Sequence, residues 1–446
     1  MKTNYCDKIF NQINIFKVRL NGLESFTYKT MKRQTTELLS YVDKMKDFKH
    51  LKEQWDEISS CEEDNEVPLQ IRFDFYNLTR LIDKIDGARY YHEKISNDII
   101  VSLISTFDYY LRSILKETCY YLDDKFDNKD VAVKYNEIKY CESVDSIKEY
   151  YFEKYLEGLF VGSHEKLFEE IKNRFGIENI KESAHYKDLI FIIELRNIIV
   201  HNDSKVSITF KNRMAESHID YNKYGIIKDN QVIMTRDFLH FVFDVLTEIS
   251  IYIAVSFAVH FNKRDKVAIE DFFSQINDMV LECIDNGHPN AAINIYGWLI
   301  GVAHCSSEKF VYTINKCVGL YKVNKKDEVQ KIINELDWSN CDEVYKFARD
   351  CLLGNYDSAI SFLKKQTDKQ SWEYNLQIWP VCKGLVASEA FVAEYPNIFG
   401  KQFKNEIVNW ENSPKDIEEM YKKINKMISE KKIDKESDEY KENKTN

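Results

Sequence analysis

The chain of 446 residues holds only 13 glycines and 5 prolines and carries a formal net charge of −11. So few turn-forming residues over that length exclude a sandwich or barrel of many short strands and predict a mainly α protein built from long helices. The acidic balance excludes nucleic-acid binding through a generally basic surface and leaves room only for a small, focused cationic cleft.

Residues 1–95 show charged helical patterns without nameable chemistry and are read as a helical N-terminal region, with a break expected at the acidic run Cys61-Glu62-Glu63-Asp64-Asn65-Glu66 before Pro68. The opening MKTNYCDKIFNQ lacks the apolar stretch of a secretory leader. No uninterrupted apolar run approaches the ~20 residues of a membrane span, so a cytoplasmic protein without a membrane partner is expected. The ten cysteines form no C-x-x-C pair and no cluster at zinc spacing, which predicts reduced thiols and no bound metal or cofactor.

Residues 96–262 are organised differently. Ser96-Asn97-Asp98 reads as a helix start, and Ile100, Leu103, Ile104, Phe107, Leu111, Ile114 and Leu115 then recur at helical spacing. Asp108 falls within that stripe, so its carboxylate is expected on the core side, where it needs a cation such as Arg112 four residues on. A second helix is predicted from about Ser183 to His201, apolar on most sides through Leu189, Ile190, Ile192, Ile193, Leu195, Ile198 and Ile199, and stopped by Asn202-Asp203-Ser204. Val206 to Phe210 alternates like a short strand, and Tyr224 to Met234 reads as a hairpin with Asp229-Asn230 at its tip. Thr235 caps a last helix running to about His260.

Residues 264–400 read as helical pairs with weak self-similarity. Gly354-Asn355-Tyr356-Asp357-Ser358-Ala359-Ile360-Ser361-Phe362 is echoed at Gly287-His288-Pro289-Asn290 and more faintly at Asn324-Lys325-Lys326-Asp327. Spacings of roughly 30–37 residues suit helix-turn-helix repeats that stack into a solenoid. The copy GNYDSAISF resembles a tetratricopeptide repeat, and the other two depart from that pattern. Residues 401–446 are rich in lysine and glutamate; Pro414 and Asp416 are expected to start a helix to Ile428, followed by a frayed tail.

The segment Leu195-Arg196-Asn197-Ile198-Ile199-Val200-His201-Asn202 is the polar constellation of the chain, set at the end of an apolar helix. Burying such groups without partners costs several kcal/mol, so they call for a role. Their chemistry suits RNA cleavage without a metal. An imidazole exchanges protons near neutral pH and can take the proton from a ribose 2′-hydroxyl or return one to the leaving 5′-oxygen. A guanidinium can hold the phosphate with forked hydrogen bonds and stabilise its added charge. Positions five apart on a helix are separated by about 140°, so Arg196 and His201 flank one helix edge and need a symmetric partner to close a site.

LRNIIVHN resembles the signature of HEPN domains, in which an arginine, usually followed by a polar residue such as asparagine, precedes a histidine with four to six residues between them. STFDYYLRSIL (residues 105–115) is similar to the family's earlier helix, and the resemblance spans residues 96–262. It implies an all-α core that dimerises, metal-independent ribonuclease activity, Arg196 and His201 as the catalytic pair, Asn197 as the residue positioning them, and Asp108 as an acid directed at Arg196. Many members are toxins or phage-defence effectors. The expectation is therefore a homodimeric endoribonuclease that leaves 2′,3′-cyclic phosphate and 5′-hydroxyl ends and meets a protein partner or trigger through its helical repeats. The alternatives are a non-catalytic HEPN scaffold and a repeat-based interaction protein. No phosphate-binding glycine loop, paired metal-binding carboxylates or nucleophile elbow supports another enzyme class.

Overall fold

The structure, a computed structural model, describes residues 4–51, 69–122, 131–303 and 305–403. The acidic run at 61–66 and the helix and tail expected after Pro414 lie outside them. The described residues are mainly helical, with one two-stranded antiparallel sheet, as composition predicts. They divide into two compact units, Met1–Leu353 and Gly354–Asn446.

The first unit begins with two long helices, α1 (Tyr5–Lys44) and α2 (Leu69–Tyr121). Tyr5 donates to or accepts from Thr118 at 2.8 Å, Phe16 packs on Phe107 and Tyr110, and His50 reaches Asp74 at 3.6 Å. These pairs run in opposite sense along the chain, so the two helices are antiparallel. α1 buries Ile9, Ile13, Phe16 and Leu20 on one stripe at period three to four. The N-terminal region is thus part of the core of the first unit.

The expected helix start at Ser96 is corrected: α2 runs straight through it. Ser96 is buried and its hydroxyl returns to the His92 carbonyl at 2.9 Å, the back-bonding open to a mid-helix serine. Asn97 instead uses its side chain across the fold, donating from Nδ2 to Ser204 Oγ at 2.9 Å. The boundary expected near residue 95 therefore falls inside one helix.

After α2 come α3 (Val144–Leu159), α4 (His164–Phe175) and α5 (Tyr186–His201). The strand expected at Val206–Phe210 is also corrected. Ser207 accepts a hydrogen bond from Phe210 N–H at 3.1 Å and starts α6 (Ile208–Glu216), so a cap defeats the alternating pattern. The hairpin stands where expected, with β1 (Ile227–Lys228) and β2 (Gln231–Val232) joined by Asp229 and Asn230 at φ 50° and 59°. Two left-handed residues at the tip match the right-handed twist of the strands.

Thr235 caps α7 (Arg236–Phe261), accepting from Phe238 N–H at 3.1 Å. This helix is long and apolar enough to cross a membrane by composition, with mean hydropathy 1.8, yet 83% of that stretch is buried within the protein. It is the central helix of the unit. Tyr110 donates to the Ser250 carbonyl at 2.6 Å, tying α2 to it.

The first unit ends with α8 (Lys266–Asp285), α9 (Pro289–Val302), α10 (Ser306–Lys322), α11 (Lys326–Glu335) and α12 (Glu343–Leu353). The weak sequence echoes mark one backbone device. Gly287, Asn324 and Gly354 all adopt positive φ, at 95°, 61° and 76°, just before a helix. At the first two, the next residue's N–H reaches back to close the preceding helix: His288 to the Cys283 carbonyl at 2.8 Å and Lys325 to the Leu320 carbonyl at 2.9 Å. α9 and α10 approach closely at Gly319, where a Cβ would stand 2.9 Å from Ile293 Cγ1.

The second unit contains α13 (Tyr356–Lys365), α14 (Lys369–Ile378) and α15 (Glu389–Phe399). Phe391 and Tyr395 pack with Phe403, and Lys364 pairs with Glu394 at 2.8 Å.

Candidate functional site

α5 presents the polar motif. Residues Asp188 to Leu195 and Ile198 are buried, so the helix is enclosed through its middle turns and opens toward its last. Its end is set by Asn202, whose N–H bonds the Ile198 carbonyl at 3.0 Å, and by the left-handed Asp203 and Ser204. Ser204 N–H reaches the same Ile198 carbonyl at 3.1 Å, and Asn97 holds the Ser204 side chain from α2. The turn after the motif is therefore clamped from two sides.

Arg196 is half-buried. Its Nη1 donates to Asn197 Oδ1 at 3.2 Å, and its buried Nε has no partner among the described residues. Two carboxylates that could neutralise it, Glu194 and Asp108, are engaged elsewhere. Glu194 pairs with Arg213 of α6 at 2.7 Å. Asp108 does not meet Arg196 or Arg112; it bonds His164 Nε2 at 2.6 Å, at the first residue of α4. Its side chain is 33% exposed, so the expectation of a core-side acid directed at Arg196 is corrected. The reason is geometric: Ile104, Phe107 and Leu111 form the buried stripe, and Asp108 stands at its edge, where α4 approaches. Arg112 lies near Glu157, at 3.8 Å.

His201 is the last residue of α5 and is exposed, its imidazole making no hydrogen bond or ion pair among the described residues. The structure thus brings Arg196 and Asn197 together, leaves His201 one turn on at the open helix end, and takes Asp108 to a different partner. The apolar side chains of Val200, next to it in sequence, and of Ile208, the first residue of α6, are exposed.

The opposite end of α5 carries a second polar group that sequence reading passed over. Asp188 accepts from His185 Nδ1 at 2.6 Å, from Lys223 at 2.8 Å and from the Tyr224 hydroxyl. Burial alone would raise the Asp188 carboxyl, but these donors outweigh it and hold it down at about 2. The same Asp188 bond raises His185 above its ordinary value. His185 Nε2 lies 3.4 Å from Glu248, whose carboxyl is pushed up by burial. They line a cleft of about 680 Å³ with Ser183, Asn294, Trp298 and Lys316. Sequence spacing could not reveal it, since the group is drawn from α5, α7, α9 and α10. No protein-family model matches the chain, and no curated protein or solved structure matches it either.

Proposed function

We propose that this chain is a metal-independent endoribonuclease that works as a homodimer, of the HEPN type its motif resembles. The reading rests on one observation: Arg196 is held beside Asn197 with no carboxylate partner, one turn before the exposed His201 at the end of the same helix. A guanidinium left without an acid is ready for an anionic oxygen, and phosphate offers two in the geometry its fork prefers.

In this reading Arg196 binds the scissile phosphate and stabilises the charge that grows as the 2′-oxygen attacks. His201 transfers the proton, from the 2′-hydroxyl or to the leaving 5′-oxygen. Asn197 holds the guanidinium plane. The products are a 2′,3′-cyclic phosphate and a 5′-hydroxyl, and DNA, lacking the attacking hydroxyl, is spared. The two functional side chains flank one helix edge, so a second α5 supplies the other half of the cleft. The clamped turn after His201 gives that edge a fixed shape, and exposed Val200 and Ile208 offer apolar surface for the pairing. The helices from α8 onward, with their repeat-like turns, are the surface for a regulatory protein or trigger, in keeping with a cytoplasmic toxin or defence effector.

The test is cleavage of a structured RNA by the full-length protein in EDTA. Wild type is expected to release cyclic-phosphate ends, and Arg196→Ala and His201→Ala each to lose roughly 10²–10³-fold in rate. Cleavage that is undiminished in both folded variants overturns the reading.

A further inference from the structure

A separate cluster joins the first helix to the repeat-like region. Glu24 of α1, His240 of α7 and His288, the residue preceding α9, place one ligand atom each within 4.8 Å of one another. His288 Nε2 lies 2.8 Å from Glu24 Oε2, and His240 Nδ1 lies 3.7 Å from Glu24 Oε1. The other nitrogen of His288 bonds Asp244 Oδ1 at 2.6 Å, one turn along α7 from His240. The two imidazoles are stacked, with centroids 4.8 Å apart. The Tyr28 hydroxyl stands 3.2 Å from His240 Nδ1, and the Arg236 guanidinium lies over the Tyr28 ring.

We propose that Glu24, His240 and His288 bind a divalent first-row transition-metal ion of the Zn²⁺ class, with Asp244 orienting His288. The donor set is two imidazole nitrogens and a carboxylate oxygen, which suits that class and leaves a coordination position open to water. The His288–Asp244 bond is the arrangement that ordinarily fixes the ring of a ligating histidine. Charge supports it as well. Two carboxylates and two neutral imidazoles sum to −2, which a divalent cation balances, whereas protonating both stacked rings would set like charges face to face. On binding, the proton between His288 Nε2 and Glu24 leaves to solvent and the metal takes its place. His288 is 6% exposed and Glu24 15%, while His240, at 36%, leaves a path for the ion. The turn that delivers His288 is the left-handed Gly287, so the repeat-like device also aims a ligand. The bound ion would pin α1 to α7 and to the start of α9.

The full-length protein, stripped of metal and titrated with Zn²⁺ by calorimetry, is expected to bind one equivalent and to melt at a higher temperature when loaded. Co²⁺ is expected to give visible ligand-field bands. His240→Ala should weaken Zn²⁺ binding by at least about tenfold and Asp244→Asn by roughly 10–100-fold, with circular dichroism confirming the fold. His240 is partly exposed, so its variant keeps the test open if Glu24→Gln or His288→Ala fails to fold. Absence of stoichiometric binding, or equal affinity in wild type and folded His240→Ala, overturns the proposal. Neither outcome depends on RNA cleavage, which is assayed in EDTA.

Discussion

Glu194 receives Arg213 of the next helix at 2.7 Å and so stands apart from Arg196, two residues along its own helix. Positions two apart face nearly opposite sides of a helix, so Glu194 turns to α6 while Arg196 bonds only the neighbouring Asn197. Glu194 is buried, and Arg213→Ala would leave its carboxylate without a cation. A loss of about 1–3 kcal/mol in stability is expected, read from urea unfolding. RNA cleavage by the folded fraction should be unchanged, since Arg196 does not use that acid.

Asp108 and Arg196 should separate functionally. Asp108→Asn weakens the bond to His164 that ties α2 to α4, yet touches nothing around the motif. Its cleavage rate is expected to stay close to that of wild type, in contrast to Arg196→Ala. A loss as deep as that of Arg196→Ala would mean that the acid reaches the motif in the working state.

The cluster at the start of α5 should govern acid stability. Asp188, whose side chain is 9% exposed, is held at about 2 against an ordinary 3.8. A depressed carboxyl adds stability above its ordinary value and loses it as pH falls toward the folded one, here about 2 kcal/mol. His185 is raised, so its contribution is complete below its ordinary value and disappears as pH rises past the folded one. The stability that wild type holds over Asp188→Asn should therefore peak between about pH 4 and 6.5. A gap independent of pH would contradict this linkage.

One left-handed helix stop and one tightly packed helical glycine predict substitutions of opposite sign. Asn324 has φ 61° and is not glycine, so Asn324→Gly should raise stability by about 1 kcal/mol. Gly319→Ala would drive a methyl into Ile293 at 2.9 Å between α9 and α10 and should cost about 1–3 kcal/mol. Thermal melting of the two variants checks both.

Helical character, the α5 and α7 segments, the hairpin with its Asp229-Asn230 tip and the caps at Asn202 and Thr235 were legible from the chain, because each depends on neighbours within a few residues. Local signals failed where two competed. Ser96-Asn97-Asp98 resembles a start signal, but Ser96 is buried with its hydroxyl turned back to His92, Asn97 is clamped to Ser204, and α2 runs through it. Val206 to Phe210 alternates, but the Ser207 cap chose a helix.

The motif itself was visible as a pattern of residue types at fixed spacing on one helix. Its surroundings were not. The partner of Asp108, the engagement of Glu194 by Arg213 and the gathering of Glu24, His240, Asp244 and His288 all join residues far apart in sequence. By itself the sequence determined the mainly helical character and most helix and hairpin positions, since periodicity and capping are local. Only the tertiary structure decided which acid meets which cation, because that choice depends on how helices remote in the chain pack side by side.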